Sequence, residues 1–92
     1  MIRKHVVVSG RVQGVFYRDT CREEARRHGV AGWVRNMPDG TVEAVFEGPA
    51  EEVERMVAWV HQGPSRAEVR GVEAEEETPQ GLTGFQVRPT GP

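Results

Sequence analysis

Cysteine is almost absent from this sequence, and long apolar runs are missing. The single cysteine, Cys21, excludes a disulfide within the chain and a metal site built from several cysteines. No segment approaches the roughly 20 apolar residues that cross a bilayer, and the N-terminus lacks the apolar core of a signal peptide. We therefore expect a cytoplasmic protein that does not bind membranes.

A large excess of charge of one sign is also missing. Fourteen acidic and twelve basic residues give a net charge of −2, which argues against general binding to polyanions. Residues 1–46 nevertheless carry a net charge of +3, and residues 47–92 carry −5. The basic half is compatible with a small anionic ligand, and scattered surface charge explains it equally well.

The residues that are present fit one small globular domain. A chain of 92 residues can form one two-layer core, so we predict a single domain over residues 1–92. Hydrophobic periodicity and turn residues predict five strands and two helices. The strands are expected at His5–Gly10, Val30–Asn36, Thr41–Glu47, Ala67–Glu77 and Leu82–Arg88, and the helices at Tyr17–His28 and Ala50–His61.

The predicted order, β-α-β-β-α-β with a short fifth strand, is typical of the ferredoxin-like α+β sandwich. In that fold two helices cover one face of an antiparallel sheet. Right-handed crossovers that each skip one place predict the strand order 4-1-3-2. Many unrelated proteins use this fold, so function has to be argued from the site.

The segment SGRVQGVFYR, from Ser9 to Arg18, connects the first strand to the first helix. Gly10 and Gly14 allow the backbone to curl, and the amides of such a curl, with those of the helix N-terminus, can hold an anion. Arg18 adds a planar guanidinium that can grip two phosphate oxygens. From spacing alone, an ordinary loop with a surface arginine is the more frequent explanation.

Asn36 ends the second predicted strand, within the segment GWVRNMPDGTV. The loop after the first strand and the turn after the second are expected at the same end of the sheet. A neutral donor and acceptor there could hold a water molecule near a phosphate. The alternative is a turn residue that tolerates the left-handed conformation.

The segments GRVQGVFYR and GWVRNMPDGTVEAVFEG together resemble the two signatures of acylphosphatase, and the resemblance extends from His5 to Arg88. It implies hydrolysis of the carboxyl–phosphate bond of small acyl phosphates, with inorganic phosphate or sulfate as competing anions. It also implies that Arg18 binds the phosphate and that Asn36 orients the attacking water. The main-chain amides that it assigns to phosphate binding are those of Gln13, Gly14, Val15, Phe16 and Tyr17.

One departure from the family pattern lies at the C-terminus. Family members often end soon after a Gly-Phe-x-Val/Ile-Arg segment, commonly with a tyrosine whose carboxylate lies near the active arginine. Here the segment GFQVR is followed by Pro89–Pro92, which we expect to be a frayed tail.

Candidate groups for other chemistry are scarce. The sequence has no HExxH motif, no carboxylate cluster beside SGRVQGVFYR and no convincing Ser-His or Cys-His pair. Cys21 shares an apolar stripe with Tyr17, Ala25 and His28, so we expect it to be buried. We therefore predict that no metal and no cofactor is needed. We expect water to attack directly, and the resemblance implies that its proton passes to the substrate phosphate, as is proposed for the family.

Two alternatives remain. One is a binding module for RNA or a small metabolite on the same fold, but RNA-recognition sheets expose aromatic residues on strands 1 and 3. Strand 1 has none and Phe46 on strand 3 is expected in the core, so we predict no nucleic acid partner. The other is an acylphosphatase-like unit that processes carbamoyl phosphate, as in the N-terminal module of a hydrogenase-maturation factor. The lack of a further domain argues against it, and we expect a monomer.

Overall fold

The computed structural model, which describes residues 1–90, has five strands and two helices in the predicted order. No helix within these residues is long and apolar enough to cross a membrane. The strands are β1 (Ile2–Arg11), β2 (Ala31–Asn36), β3 (Val42–Gly48), β4 (Glu68–Glu77) and β5 (Phe85–Val87), and the helices are α1 (Tyr17–Arg27) and α2 (Ala50–Gln62).

The sheet has the strand order β4-β1-β3-β2-β5. β1 is antiparallel to both β3 and β4, β2 is antiparallel to β3, and the short β5 is parallel to β2. The predicted ferredoxin-like sandwich and its 4-1-3-2 order are therefore confirmed. Because β1 and β2 are separated only by the antiparallel β3, both end at the same edge of the sheet.

The core lies between the helices and the sheet. α1 buries Tyr17, Cys21 and Ala25 on one stripe, as the periodicity predicts. His28 does not continue this buried stripe. It is the C-cap residue of α1, it is half-buried, and its Nδ1 lies 2.9 Å from a carboxylate oxygen of Glu52.

Gly10 has a different role from the predicted one. It lies inside β1, opposite Val69, whereas its neighbour Ser9 lies opposite Gly71, so Arg70 forms a bulge in β4. Gly10 has φ +116°, and a Cβ there would come within 2.2 Å of the Glu68 carbonyl oxygen. The close approach of β4 therefore requires glycine, and the curl of the chain begins after this residue.

The face of the sheet opposite the helices carries a network of charged side chains. Glu43 accepts a hydrogen bond from Arg35 at 2.6 Å and lies 2.7 Å from His5 Nε2. The guanidinium carbons of Arg35 and Arg88 lie 5.2 and 4.6 Å from the centroid of the Trp33 ring. Since Phe46 is fully buried on the other face, the paired aromatic platform of an RNA-recognition sheet is absent from the described strands.

Glu47 anchors the connection between β4 and β5 at the sheet end opposite the one where β1 and β2 finish. The buried carboxylate of Glu47 accepts a hydrogen bond from buried Arg3 at 2.6 Å. It also accepts the main-chain amides of Gln80, Gly81 and Leu82 at 3.0 to 3.1 Å. Burial by itself would raise the pKa of Glu47, but these hydrogen bonds and the positive charge of Arg3 lower it overall.

Replacing Glu47 by glutamine is expected to destabilise the fold. The NH₂ group of the new side chain would face a hydrogen-bond donor, and Arg3 would lose a charged partner. These two changes should lower the free energy of unfolding by about 2–3 kcal/mol and Tm by roughly 10–20 °C. The pKa of Glu47 is lower in the folded protein than in the unfolded chain. The contribution of its carboxylate to stability is therefore complete above the unfolded value near 4.5 and is lost as pH falls through the folded value.

Thermal unfolding of both proteins from pH 7 to pH 2 tests this expectation. The difference in Tm should be largest at neutral pH and should shrink in acid, where the wild-type carboxyl also becomes neutral. Glu54→Gln, on an exposed position of α2, serves as the control and should have the wild-type Tm. A Glu47→Gln penalty that is equally large in acid would show that the charge is not its source.

Candidate active site

A cavity of about 270 Å³ lies at the sheet edge where β1 and β2 end. It brings together Arg18 of α1, the helix that follows β1, and Asn36 of β2, although β3 lies between β1 and β2 in the sheet. The other lining residues come from the segment that leads into α1 and from its first turn: Val12, Gly14, Phe16, Tyr17 and Asp19.

The cradle loop, residues 13–17, has an alternating backbone. Gly14 has φ +73° and Phe16 has φ +62°, whereas φ of the intervening Val15 is not positive. Such alternation turns successive amides toward one side and forms a concave nest for an anion. No hydrogen bond within residues 1–90 uses the amides of Gly14, Val15 or Phe16. Gly14 and Phe16 line the cavity, so their donors are available to a ligand there.

Phe16 combines a strained backbone with an exposed side chain. It is the only non-glycine residue among those described that has a positive φ, and its side chain is 66% exposed. Its carbonyl oxygen accepts hydrogen bonds from the Thr20 amide at 3.1 Å and the Thr20 hydroxyl at 2.8 Å. Strained conformations of this kind persist where the surroundings fix them, and they concentrate at functional sites.

Arg18 lies in the first turn of α1, immediately after Tyr17. The buried Tyr17 hydroxyl donates to the Val60 carbonyl at 2.7 Å, which fixes the start of α1 against α2. Arg18 is half-buried and forms no ion pair with any carboxylate of residues 1–90. The adjacent Asp19 also lines the cavity but pairs with Arg22 at 3.6 Å. The Arg18 guanidinium is therefore free to bind an anion.

Asn36 is the last residue of β2 and lies opposite Val42 of β3. Its φ is not positive, so the alternative of a turn residue in the left-handed conformation is wrong. Its neighbours Met37 and Thr41 form hydrogen bonds, but within residues 1–90 none uses the Asn36 carboxamide. That carboxamide is therefore available to a ligand or a water molecule in the cavity.

The β2–β3 turn, residues 37–41, is held by its own hydrogen bonds. The Met37 amide donates to the Thr41 carbonyl at 2.9 Å, and the Gly40 amide donates to the Met37 carbonyl at 3.1 Å. The Asp39 carboxylate accepts the Thr41 hydroxyl at 2.6 Å and the Thr41 amide at 3.0 Å. These hydrogen bonds lower the pKa of Asp39. Its carboxylate is therefore ionised at neutral pH and accepts both bonds.

The Gln13 side chain has a position that sequence reasoning missed. Only its main-chain amide was a candidate, but its Nε2 donates to the carbonyl oxygens of Met37 at 2.8 Å and Thr41 at 2.9 Å. The cradle loop is thereby linked to the β2–β3 turn. Nothing in the local pattern around Gln13 signals a contact with residues so distant in the sequence.

The cysteine and the histidines lie outside the cavity. Cys21 is fully buried, and burial raises the pKa of its thiol, which stays protonated at neutral pH. None of the three histidines lines the cavity. Within residues 1–90, no three His, Cys, Asp or Glu side chains are grouped so that they could hold a metal ion.

The segment after β5 continues the pairing with β2 for one further hydrogen bond. The Arg88 amide donates to the Val34 carbonyl at 2.9 Å, and Pro89 and Thr90 are exposed and do not line the cavity. The predicted tail, Pro89–Pro92, is only partly described, because Gly91 and Pro92 lie outside the described residues.

The fold and the cavity define a ferredoxin-like α+β protein in which a main-chain nest lies at the N-terminus of the first helix. The chain belongs to the acylphosphatase family, whose model matches residues 4–87. This membership confirms the predicted enzyme class, an acylphosphatase.

Individual relatives agree with this assignment. The acylphosphatase of Haloarcula marismortui is 62% identical over 86 residues, which cover 94% of each chain. The acylphosphatase of Rubrobacter xylanophilus is 62% identical over 87 residues, which cover 94% of this chain and 79% of the relative. The crystal structure of acylphosphatase from Bacillus subtilis superposes with a TM-score of 0.93 at 34% identity, covering 96% of this chain and 99% of that one.

Proposed function

We propose that this chain hydrolyses the carboxyl–phosphate bond of small acyl phosphates by direct attack of a water molecule that Asn36 orients. No metal ion and no covalent intermediate takes part. The observation that carries the proposal is the meeting of three features in one cavity. They are a main-chain nest, an arginine and an asparagine, and within residues 1–90 neither of these side chains has a hydrogen-bonding or ion-pair partner.

The cradle loop and Arg18 bind the phosphate group of the substrate. The free amides of residues 14–16 donate to its oxygens, and the N-terminus of α1 adds a partial positive charge. The guanidinium of Arg18 offsets charge on two further oxygen positions. Phosphoryl transfer depends mainly on such positioning and charge stabilisation, so these groups supply most of the catalysis.

The water molecule needs orientation more than it needs a strong base. The carbonyl oxygen of the Asn36 carboxamide accepts a hydrogen bond from the water, which directs the water oxygen at phosphorus. As the new P–O bond forms, the P–O bond to the acyl group breaks, and its electron pair leaves with the carboxylate. One proton of the attacking water passes to another oxygen of the phosphate, and the second proton stays on the attacking oxygen. Because a carboxylate is a stable leaving group, no general acid is required.

Among residues 1–90, Asp19 is the one carboxylate that lines the cavity, and its surroundings argue against a role as general base. Its side chain is largely exposed and pairs with Arg22. A carboxylate that acted as general base would have to lie close to a phosphate group that already carries negative charge. Electrostatic repulsion opposes this arrangement. The proposal therefore assigns no proton transfer to Asp19.

The experiment that tests the proposed function is phosphate release from an aryl acyl phosphate. An aryl phosphate monoester, whose phenoxide leaving group is poorer than a carboxylate, is the matched control. Hydrolysis of the acyl phosphate without hydrolysis of the monoester is expected. Equal rates on both substrates, or no release from either, would contradict the proposal.

Inorganic phosphate and sulfate are expected to inhibit competitively, because both are tetrahedral anions that match the cradle loop and Arg18. Rising concentrations of a salt with a weakly coordinating anion should raise both inhibition constants moderately, since the half-buried site is only partly screened. Initial rates at several substrate and inhibitor concentrations provide the measurement. A noncompetitive pattern would locate the anion outside the substrate site.

Activity is expected to survive EDTA, and Cys21→Ala is expected to retain the wild-type kcat. The cavity lining offers no ligand set for a metal, and the buried thiol lies on the core side of α1. Cys21→Ala removes a small buried group and should lower Tm only modestly. Loss of activity in EDTA that a divalent ion restores would refute the metal-free mechanism.

Four expectations from the sequence belong to this proposal: one domain over residues 1–92, a cytoplasmic location, a monomeric state and the absence of nucleic acid or membrane partners. The mixed, paired charges on the open sheet face support the last of these. Sedimentation of the purified protein over a range of concentrations tests the monomer.

A further inference from the structure

The Gln13 side chain connects the two parts of the candidate active site. It is half-buried, and its Nε2 donates to the Met37 carbonyl at 2.8 Å and to the Thr41 carbonyl at 2.9 Å. A primary carboxamide nitrogen carries two hydrogens. Both are therefore used, one on each end of the β2–β3 turn.

The two carbonyl groups that Gln13 binds also close the turn itself. The Thr41 carbonyl accepts the Met37 amide, and the Met37 carbonyl accepts the Gly40 amide. Each carbonyl oxygen thus accepts one bond from within the turn and one from Gln13. The side chain consequently fixes the position of a turn that is already internally rigid, rather than the shape of the turn.

The position of this turn matters because Asn36 immediately precedes Met37. Within the sheet, two strand pairings separate Asn36 from the end of β1: β2 pairs with β3, and β3 pairs with β1. Small changes in twist at each pairing would add up and change the distance between Asn36 and the cradle loop. The bonds of Gln13 bypass the sheet and join the loop directly to the residue after Asn36.

We propose that the Gln13 side chain is a positioning residue for hydrolysis, holding Asn36 at a fixed place relative to the cradle loop and Arg18. This inference rests on the proposed role of Asn36. The side chain itself does not line the cavity and is not expected to touch the substrate. Its effect should therefore appear in kcat and pass through Asn36.

The test uses Gln13→Met, which keeps the length of the side chain and removes both donors without adding a charge. A displacement of about 1 Å can cost about 100-fold in rate, so kcat should fall roughly 10- to 100-fold. The inhibition constant of inorganic phosphate should change by less than about threefold, because the nest and Arg18 remain. Gln86→Met, at an exposed position of β5, is the matched control and should retain the wild-type kcat.

The decisive measurement is a double-mutant cycle with Asn36→Ala. If Gln13 acts through Asn36, Gln13→Met should lower kcat no further in the Asn36→Ala background. Equal losses in both backgrounds, or a phosphate inhibition constant that rises as much as kcat falls, would overturn the inference and leave the role of Asn36 intact. A wild-type kcat for Asn36→Ala alone would instead refute the proposed function, and the inference would fall with it.

Discussion

Arg18→Ala is expected to lower kcat/KM by about a thousandfold or more and to abolish inhibition by phosphate at concentrations that saturate the wild type. Removing one donor to a developing charge costs about 10²–10³, and arginines at phosphoryl-transfer sites contribute about 10³–10⁵. Arg18 would act on both the bound phosphate and the transition state. Steady-state kinetics and phosphate inhibition therefore have to be measured on the same preparation.

The same change should have little effect on folding. Arg18 forms no ion pair with a carboxylate of the described chain, and an isolated surface substitution usually changes stability by less than about 0.5 kcal/mol. A Tm within about 4 °C of the wild type is expected. A folded Arg18→Ala enzyme with near-normal turnover would remove Arg18 from the site.

Two further arginine variants sharpen this result. Arg18→Lys keeps the positive charge but loses the planar pair of donors, so it should restore only a small part of the activity. Full activity of Arg18→Lys would mean that charge alone suffices. Arg55→Ala, on the exposed surface of α2, is the matched control and should behave as the wild type.

Asn36→Ala is expected to lower kcat by about 10²–10³ while the phosphate inhibition constant stays within about twofold of the wild type. The side chain is neutral, so it contributes little to the binding of an anion. Losing the orientation of the attacking water affects only the chemical step. This separation of kcat from phosphate binding distinguishes Asn36 from Arg18, whose loss should damage both.

Two other substitutions at Asn36 test the assignment. Asn36→Asp keeps the size but places a negative charge beside the phosphate, so it should weaken phosphate inhibition as well as kcat. Asn36→Gly should be as slow as Asn36→Ala, because the extended backbone of Asn36 has no need of glycine. A wild-type kcat for Asn36→Gly would exclude the water-orienting role. Melting temperatures of all three variants separate catalytic losses from unfolding.

Local sequence patterns predicted the elements of this fold well because periodicity depends on neighbouring residues. The stripe of Tyr17, Cys21 and Ala25 is buried as expected, and α1 begins at Tyr17 as predicted. β1 begins at Ile2, three residues before the predicted start at His5. The extension contains Arg3 and Lys4, and charged side chains do not indicate a central strand. In the fold, Arg3 is paired with Glu47 on β3 and Glu77 on β4, and these partners compensate its burial.

The sequence by itself determined the order of the strands, the arginine at the start of α1, the asparagine at the end of β2 and the family signatures around them. Only the tertiary structure decided that Arg18 and Asn36 line one cavity and that Gln13 binds the turn beside Asn36. It also decided that Gly10 serves the packing of β4 and that Glu47 holds the β4–β5 connection. The physical reason is that these contacts join residues 18 or more positions apart, whose approach depends on sheet order and register. Local periodicity does not encode side-chain partners across that distance.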